Sequence, residues 1–270
     1  MMKKALKRIY IGLIMVFLYA PIVLLILYSF NDSKSRAKWG GFTLRWYQEL
    51  FADKAIMSAL GTTLSIGFFA AIIATVLGTF GAIALFQMKH APRGVLLNIV
   101  NLPMLNSEVV TGVSLMLLFA MAHIQLGYVT LLLAHVSFCV PYVVLSVLPK
   151  LRQIDPNLAE AAQDLGATPL QGFFKVILPD IMPGVLSGFV MALTMSIDDF
   201  VVSFFTTGSG VSNLSITIYT MAKRGISPKI NALSTIIFGC VFILLVGINL
   251  KDFKKDGRSQ KKLDQVKIPY

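Results

Sequence analysis

Charge is scarce in this 270-residue chain, cysteine is almost missing, and no Gly-rich phosphate loop occurs in it. Charged residues are only 14% of the total, where an ordinary soluble domain has about 25%. Hydrophobic residues reach 56%, with a mean hydropathy of +0.75, which marks a polytopic membrane protein. The two cysteines, Cys139 and Cys240, fall inside apolar stretches and read as small buried side chains rather than a disulfide or a metal site. The Walker A pattern G-x-x-x-x-G-K-[ST] is absent, so the chain cannot hydrolyse ATP by that route on its own. Also missing are a soluble domain, a low-complexity tract and an internal repeat of the kind found in many secondary transporters. The net charge of +11 does not point to nucleic acid, because Lys and Arg are confined to loops and ends.

What is present is a series of long apolar stretches. Six of them, Ile9–Phe30, Met57–Phe86, Val95–Phe119, Tyr128–Leu148, Ile181–Phe205 and Ile230–Leu250, are long enough to cross a hydrocarbon core, which needs about 20 helical residues. The first lacks a small-residue cleavage site and reads as a retained span. An even number puts both termini on one side. With both inside, 16 of the 24 Lys and Arg are cytoplasmic and 8 are external, so the positive-inside rule favours cytoplasmic termini. The expectation is an all-α protein of six transmembrane helices forming a single domain over 1–270. Its core is 57–250, and a basic tail at 251–270 faces the headgroups of the bacterial plasma membrane.

Only three of thirteen acidic residues lie inside these spans, Glu108 in the third and Asp198 with Asp199 in the fifth, and no Lys or Arg lies inside any. A membrane-embedded charge costs about 2.5–3.5 kcal/mol on insertion scales and usually faces a pathway with a partner. Three carboxylates without an internal cation suit an incoming one: a proton, a metal ion or an organic amine. Counted along the spans, Glu108 falls near mid-depth and Asp198 nearer the outer face, which suits an elongated polycation or a staged passage better than one compact metal ion. The alternatives are that Glu108 is protonated or pairs with another subunit's base, and that the aspartates mark a frayed helix end. Pro103 and Asn106-Ser107 loosen the third span just before Glu108, and Ser196 adds a neutral hydrogen-bonding group near Asp198. In the first outer loop a short helix after Thr43 puts Tyr47, Leu50 and Phe51 on one face, with Trp46 able to stack on a cation or anchor at the interface. His135 and Cys139 have metal-compatible spacing but no third ligand, and read as packing.

Between the fourth and fifth spans lies a polar cassette, Asp155 to Pro179. Asp155 can cap a first helix with Pro156 at its first position. Leu158, Ala161, Ala162 and Leu165 then form an apolar face, and Gly166 stops the helix. Thr168-Pro169-Leu170-Gln171 has capping-box form, and Leu170, Phe173, Phe174 and Ile177 repeat the apolar spacing. Asn157, Glu160, Gln163 and Asp164 lie on the opposite faces, suited to a soluble partner.

Glu160-Ala161-Ala162, Gly166 and Ile177-Leu178-Pro179 resemble the EAA motif of ABC-importer permeases, E-A-A-x3-G-x9-10-I-x-L-P or a close variant. The segments YAPIVLLILYSFN (Tyr19 to Asn31), GFTLRWY (Gly41 to Tyr47), IQLGY (Ile124 to Tyr128), SIDDFVVSFFTTG (Ser196 to Gly208) and ISPKINALST (Ile226 to Thr235) are similar to spermidine/putrescine importer permeases of the PotC type. They cover most of the chain in the expected order. The resemblance implies a type I importer permease that works with a second homologous permease, an extracellular polyamine-binding protein and two ATPase subunits, with ATP and Mg bound by the ATPase subunits and no cofactor in this chain. It places Glu160, Ala161, Ala162 and Gly166 at the ATPase contact, and Trp46, Glu108, Ser196, Asp198 and Asp199 on the substrate path. Glu108 stands where the family often has Asp, and Pro169 stands where an acidic residue can occur. The competing readings are an ABC permease for a metal or another cationic solute, and an ion-coupled carrier that works without ATP.

Overall fold

Long apolar stretches become helices because a bilayer leaves no water to satisfy an open backbone. The computed structural model describes residues 2–33, 38–155, 157–225, 227–240 and 242–243. Helices α1 (Met2–Ser29), α2 (Arg45–Ala52), α3 (Lys54–Gln87), α4 (His90–Leu105), α5 (Glu108–Met121) and α6 (Tyr128–Leu151) follow one another. After them come α7 (Leu158–Asp164), α8 (Pro169–Gly172), a π turn (Phe173–Ile177), α9 (Leu178–Asp198), α10 (Val201–Thr206) and α11 (Leu214–Arg224). Residues 228–240 are also helical. Extended pairing among the described residues is limited to one isolated bridge, Asn31 with Phe42.

Among the described residues, four helical stretches have the length and composition of a membrane crossing: Leu6–Ser29, Lys54–Gln87, Tyr128–Leu151 and Pro169–Asp198. The single span expected over Val95–Phe119 is instead a bent pair, Ala91–Leu105 and Glu108–Met121, turned by 104° at Asn106-Ser107. Pro103 removes one ladder hydrogen bond, and the Ser107 side chain accepts from the Val110 N–H to start α5 afresh. The fifth span also stops short of Phe205, at Asp198. Of the expected Ile230–Leu250, positions 241 and 244–250 lie outside the described residues, as does the 251–270 tail.

The chain clusters into two compact units, one of Met1–Lys54 with Thr220–Tyr270, the other of Ala55–Tyr219. In the first, α1 is apolar all round from Ile9 onward, and its side chains from Leu6 to Tyr19 are exposed, as suits a helix facing lipid. In the second, α6 packs along α9, and their joint core holds Cys139, Val143, Val147, Ile181 and Ala192 with Ala71 and Ala74 of α3. Small residues let these backbones approach, which substitutes for a hydrophobic drive that lipid cannot supply. A Cβ added at Gly78 would lie 2.6 Å from Val143 Cβ, and one at Gly188 would lie 3.1 Å from Val143 Cγ1.

Gly78→Ala therefore overpacks the α3–α6 seam. The expected loss is about 1–3 kcal/mol, read as a lowered midpoint in thermal unfolding of the purified protein, whereas Gly61→Ala, inside α3 with open space around it, does not lower the midpoint.

Candidate functional site

Asp198 and Asp199 are neighbours in sequence at opposite ends of two helices. Asp198 closes α9, and at Asp199 the backbone turns extended (φ −63°, ψ 128°). Two residues on, α10 begins. Asp199 Oδ1 accepts from the Val202 N–H (3.2 Å), and Oδ2 accepts from the Ser203 N–H and the Ser203 hydroxyl (2.7 Å each). It thus satisfies the free donors at the α10 N-terminus, and its side chain is only 6% exposed. Asp198 has the reverse setting. It is exposed at the C-terminal, negative end of α9, and forms no ion pair among the described residues.

The bend between α4 and α5 brings Glu108 to the same place. Glu108, Asp198 and Asp199 line one cavity of about 210 Å³ together with Phe138, Tyr142 and Phe200. The two depths expected from counting along straight spans are thus replaced by convergence on one cavity, because the third span is not straight. Glu108 is exposed in the first turn of α5 and is likewise without an ion pair among the described residues. No basic side chain is among those lining the cavity. Two carboxylates without an ion pair among the described residues, set beside aromatic faces, give the cavity groups that can accept a cation, to which a ring contact adds about 0.5–2 kcal/mol, depending on solvation.

Ser196 lies elsewhere. It is 2% exposed, and its hydroxyl is 2.6 Å from His135 Nδ1; His135 Nε2 is 2.9 Å from Ser203 Oγ and 3.5 Å from Asp199 Oδ2. Asn213 Nδ2 donates to Ser203 Oγ (2.7 Å), while Asn213 Oδ1 accepts from the Ile216 N–H and so fixes which way the amide points. Reading by motif missed this cluster, although each polar residue in an apolar span signals a needed partner. Cys139 does not join it, its Sγ lying 3.4 Å from the Ala192 carbonyl oxygen.

Trp46 belongs to the other unit. Its indole is 2% exposed and donates to the Asn31 carbonyl (2.7 Å), with the Arg45 guanidinium 4.3 Å above the ring. The buried face of α2 is Trp46 with Leu50, not the expected Tyr47, Leu50 and Phe51, because the indole N–H needs an acceptor that the first loop supplies. Asn31 organises that loop, accepting from the Ser33 and Gly40 N–H groups and donating to the Lys38 carbonyl.

In the cassette, Asp155 Oδ1 accepts from the Asn157 N–H, and helix α7 begins only at Leu158; Pro156 lies outside the described residues. Gly166 stands at φ +83° and ends α7 in a Schellman arrangement, Ala167 N–H to Ala162 O (3.0 Å) and Gly166 N–H to Gln163 O (2.8 Å). The expected capping box is formed in both directions between Thr168 and Gln171. Ala162 is buried, and a Cβ at Gly172 would meet it at 3.7 Å, so small side chains close the hairpin. Glu160 and Ala161 are exposed. Leu165 and Leu170, expected on inward faces, are 90% and 70% exposed. With α7 ending at Asp164, Leu165 is already outside the helix whose stripe it was to complete.

Residues 74–251 match the family model of binding-protein-dependent transport system inner membrane components. The putrescine transport system permease protein PotI of Escherichia coli K12 is 43% identical over 236 residues, 84% of each chain. The spermidine/putrescine transport system permease protein PotC of the same strain is 36% identical, over 93% of this chain and 95% of its own. Among solved structures, a chain of a bacterial ABC transporter that imports the acidic polysaccharide alginate aligns with a TM-score of 0.73 at 13% identity, over 93% of this chain and 96% of that one. A chain of an alginate ABC transporter in complex with its loaded periplasmic protein gives 0.69 at 18%, over 92% of both. At these identities the structures report the fold.

Asp199→Ala strips the α10 N-terminus of its cap and leaves the Ser203 hydroxyl without its acceptor. Thermal unfolding is expected to show a loss of about 1–3 kcal/mol.

Proposed function

The chain belongs to the binding-protein-dependent transport system inner membrane components, and from that membership we propose that it is a permease subunit of an ATP-driven importer of polyamines. The observation that carries the substrate class is the cavity where Glu108 and Asp198, without an ion pair among the described residues, stand beside Phe138, Tyr142 and Phe200. A polyamine alternates ammonium groups with methylenes, so paired carboxylates and ring faces can replace its hydration in steps, and neither needs to bind so tightly that release stalls. Asp198 and Glu108 meet the ammonium groups. Asp199, engaged by α10, forms the wall behind them. Ser196 acts from the buried side, and Trp46 shapes the first loop by holding Arg45.

A second homologous permease supplies the other half of the path, and an external binding protein delivers the solute. Two ATPase subunits, which bind ATP and Mg, dock on the cassette. Glu160 and Ala161 present the polar and small surface of that contact, Leu165 and Leu170 its apolar tip, and Ala162 with Gly166 set the hairpin's shape. From Pro169 to Asp198 the helix runs unbroken for 30 residues, about 45 Å, linking the cassette to the acidic cavity.

Neutral, nearly isosteric changes test the substrate reading. Glu108→Gln and Asp198→Asn are expected to lower polyamine uptake about tenfold or more each while the variants still assemble with the ATPase, and unchanged uptake in both would remove the acidic pathway. Reconstituted uptake is also expected to stop when the ATPase subunits are omitted; uptake that continued on an ion gradient alone would identify a carrier.

A further inference from the structure

The direction of Asp198 depends on where α9 stops, and the stop depends on the buried cluster behind it. Ser196, His135, Ser203 and Asn213 are each 3% exposed or less and come from α9, α6, α10 and the segment before α11. Asn213 reaches further, since the Leu214 N–H beside it donates to Thr63 of α3 (2.8 Å). All of these residues lie in one compact unit.

Counting hydrogens assigns every bond. Ser203 Oγ has one proton and two acceptor positions. The Asn213 amide, pinned by its bond to Ile216, presents only N–H to Ser203 and takes one acceptor position. The Ser203 proton goes to Asp199 Oδ2. What remains at Ser203 is an acceptor, so His135 must donate from Nε2, which also faces Asp199 Oδ2 at 3.5 Å. With the proton on Nε2 of a neutral ring, Nδ1 accepts from the Ser196 hydroxyl. The chain of donation runs one way, from Ser196 through His135 and Ser203 to Asp199. It crosses the break, joining a residue two before Asp198 to the residue after it and to the helix beyond.

Building on the reading of Asp198 as a substrate carboxylate, we propose that His135 is a positioning residue for transport. Its Nε2-protonated imidazole clamps the end of α9 to the start of α10 and thereby holds Asp198 toward the cavity. His135 does not line the cavity and acts only through its neighbours. Without it, Ser196 and Ser203 lose their shared partner, α9 is free to end elsewhere, and Asp198 loses its fixed direction. Gln is the conservative substitute, because its amide also sets an acceptor oxygen beside N–H donors, whereas Leu fills similar space with neither.

The test is radiolabelled putrescine uptake into liposomes that hold the complete transporter, with partner permease, ATPase subunits and binding protein, normalised to assembled complex. His135→Leu is expected to lower uptake about tenfold and His135→Gln to keep at least half. In an Asp198→Asn background His135→Leu is expected to cause no further loss. Equal losses from Leu and Gln, or a double variant whose loss multiplies those of the single changes, would overturn the proposal. If His135→Leu does not assemble, Ser203→Ala, which cuts the same chain without adding bulk, carries the same expectations. A deficit in Asp198→Asn with normal uptake in His135→Leu overturns positioning alone. Normal uptake in Asp198→Asn removes the reading of Asp198 as a substrate carboxylate and the positioning role with it.

Discussion

A carboxylate in a membrane needs either hydrogen-bond donors or a counter-charge, and the break between α9 and α10 divides these needs between two adjacent residues. Asp199 meets the N-terminal donors of α10, where the helix dipole favours a negative charge. Asp198 sits at the other pole, on the carbonyl end of α9, where the dipole adds to its own negative potential. One is satisfied by α10, and the other has no ion pair among the described residues. The latter faces a chamber whose rings and second carboxylate leave a cation as its natural complement.

Both carboxylates of that chamber depend on broken helices. A break inside a span frees backbone groups that lipid cannot satisfy, so it is tolerated only where protein or a polar cavity supplies partners. At the α4–α5 bend the Ser107 hydroxyl and carbonyl meet the Val110 and Thr111 amides. At the α9–α10 break Asp199 does the equivalent. The cavity and the breaks are therefore one feature: straight third and fifth spans would carry Glu108 and Asp198 to different depths with no shared chamber.

Sequence patterns recovered what local chemistry decides. The capping box at Thr168 and the stop at Gly166 formed as expected, because each rests on contacts within a few residues. The long apolar helices α1, α3 and α6 were equally legible, since span length and composition do not depend on neighbours. What escaped was set by tertiary partners. The 104° bend was visible only as a loosening at Pro103 and Asn106-Ser107, and its direction is a matter of packing. Trp46 looked available to a ligand, but Asn31 and Arg45 occupy its edge and face. His135 looked like a packed residue, and its ties to Ser196 and Ser203 span more than sixty positions, beyond any periodicity.

The unbroken helix from Pro169 to Asp198 makes the cassette and the acidic cavity two ends of one body. Near its cassette end it is irregular: the π turn at Phe173–Ile177 hands over to α9 at Leu178, immediately before Pro179, which contributes no N–H. Such a junction is where a helix bends most readily, so a push on the hairpin divides between bending there and displacement of the far end. Beyond the junction α9 is held along α6 by close contacts at Gly184 and Gly188, which resist bending and favour sliding or rotation as a unit. Movement that reaches Asp198 then arrives at the clamp made by His135, Ser203 and Asp199, and α10 must follow or the clamp must open. A shift of α9 relative to α5 would separate Asp198 from Glu108, the two exposed carboxylates that line the cavity, without any change in their charge.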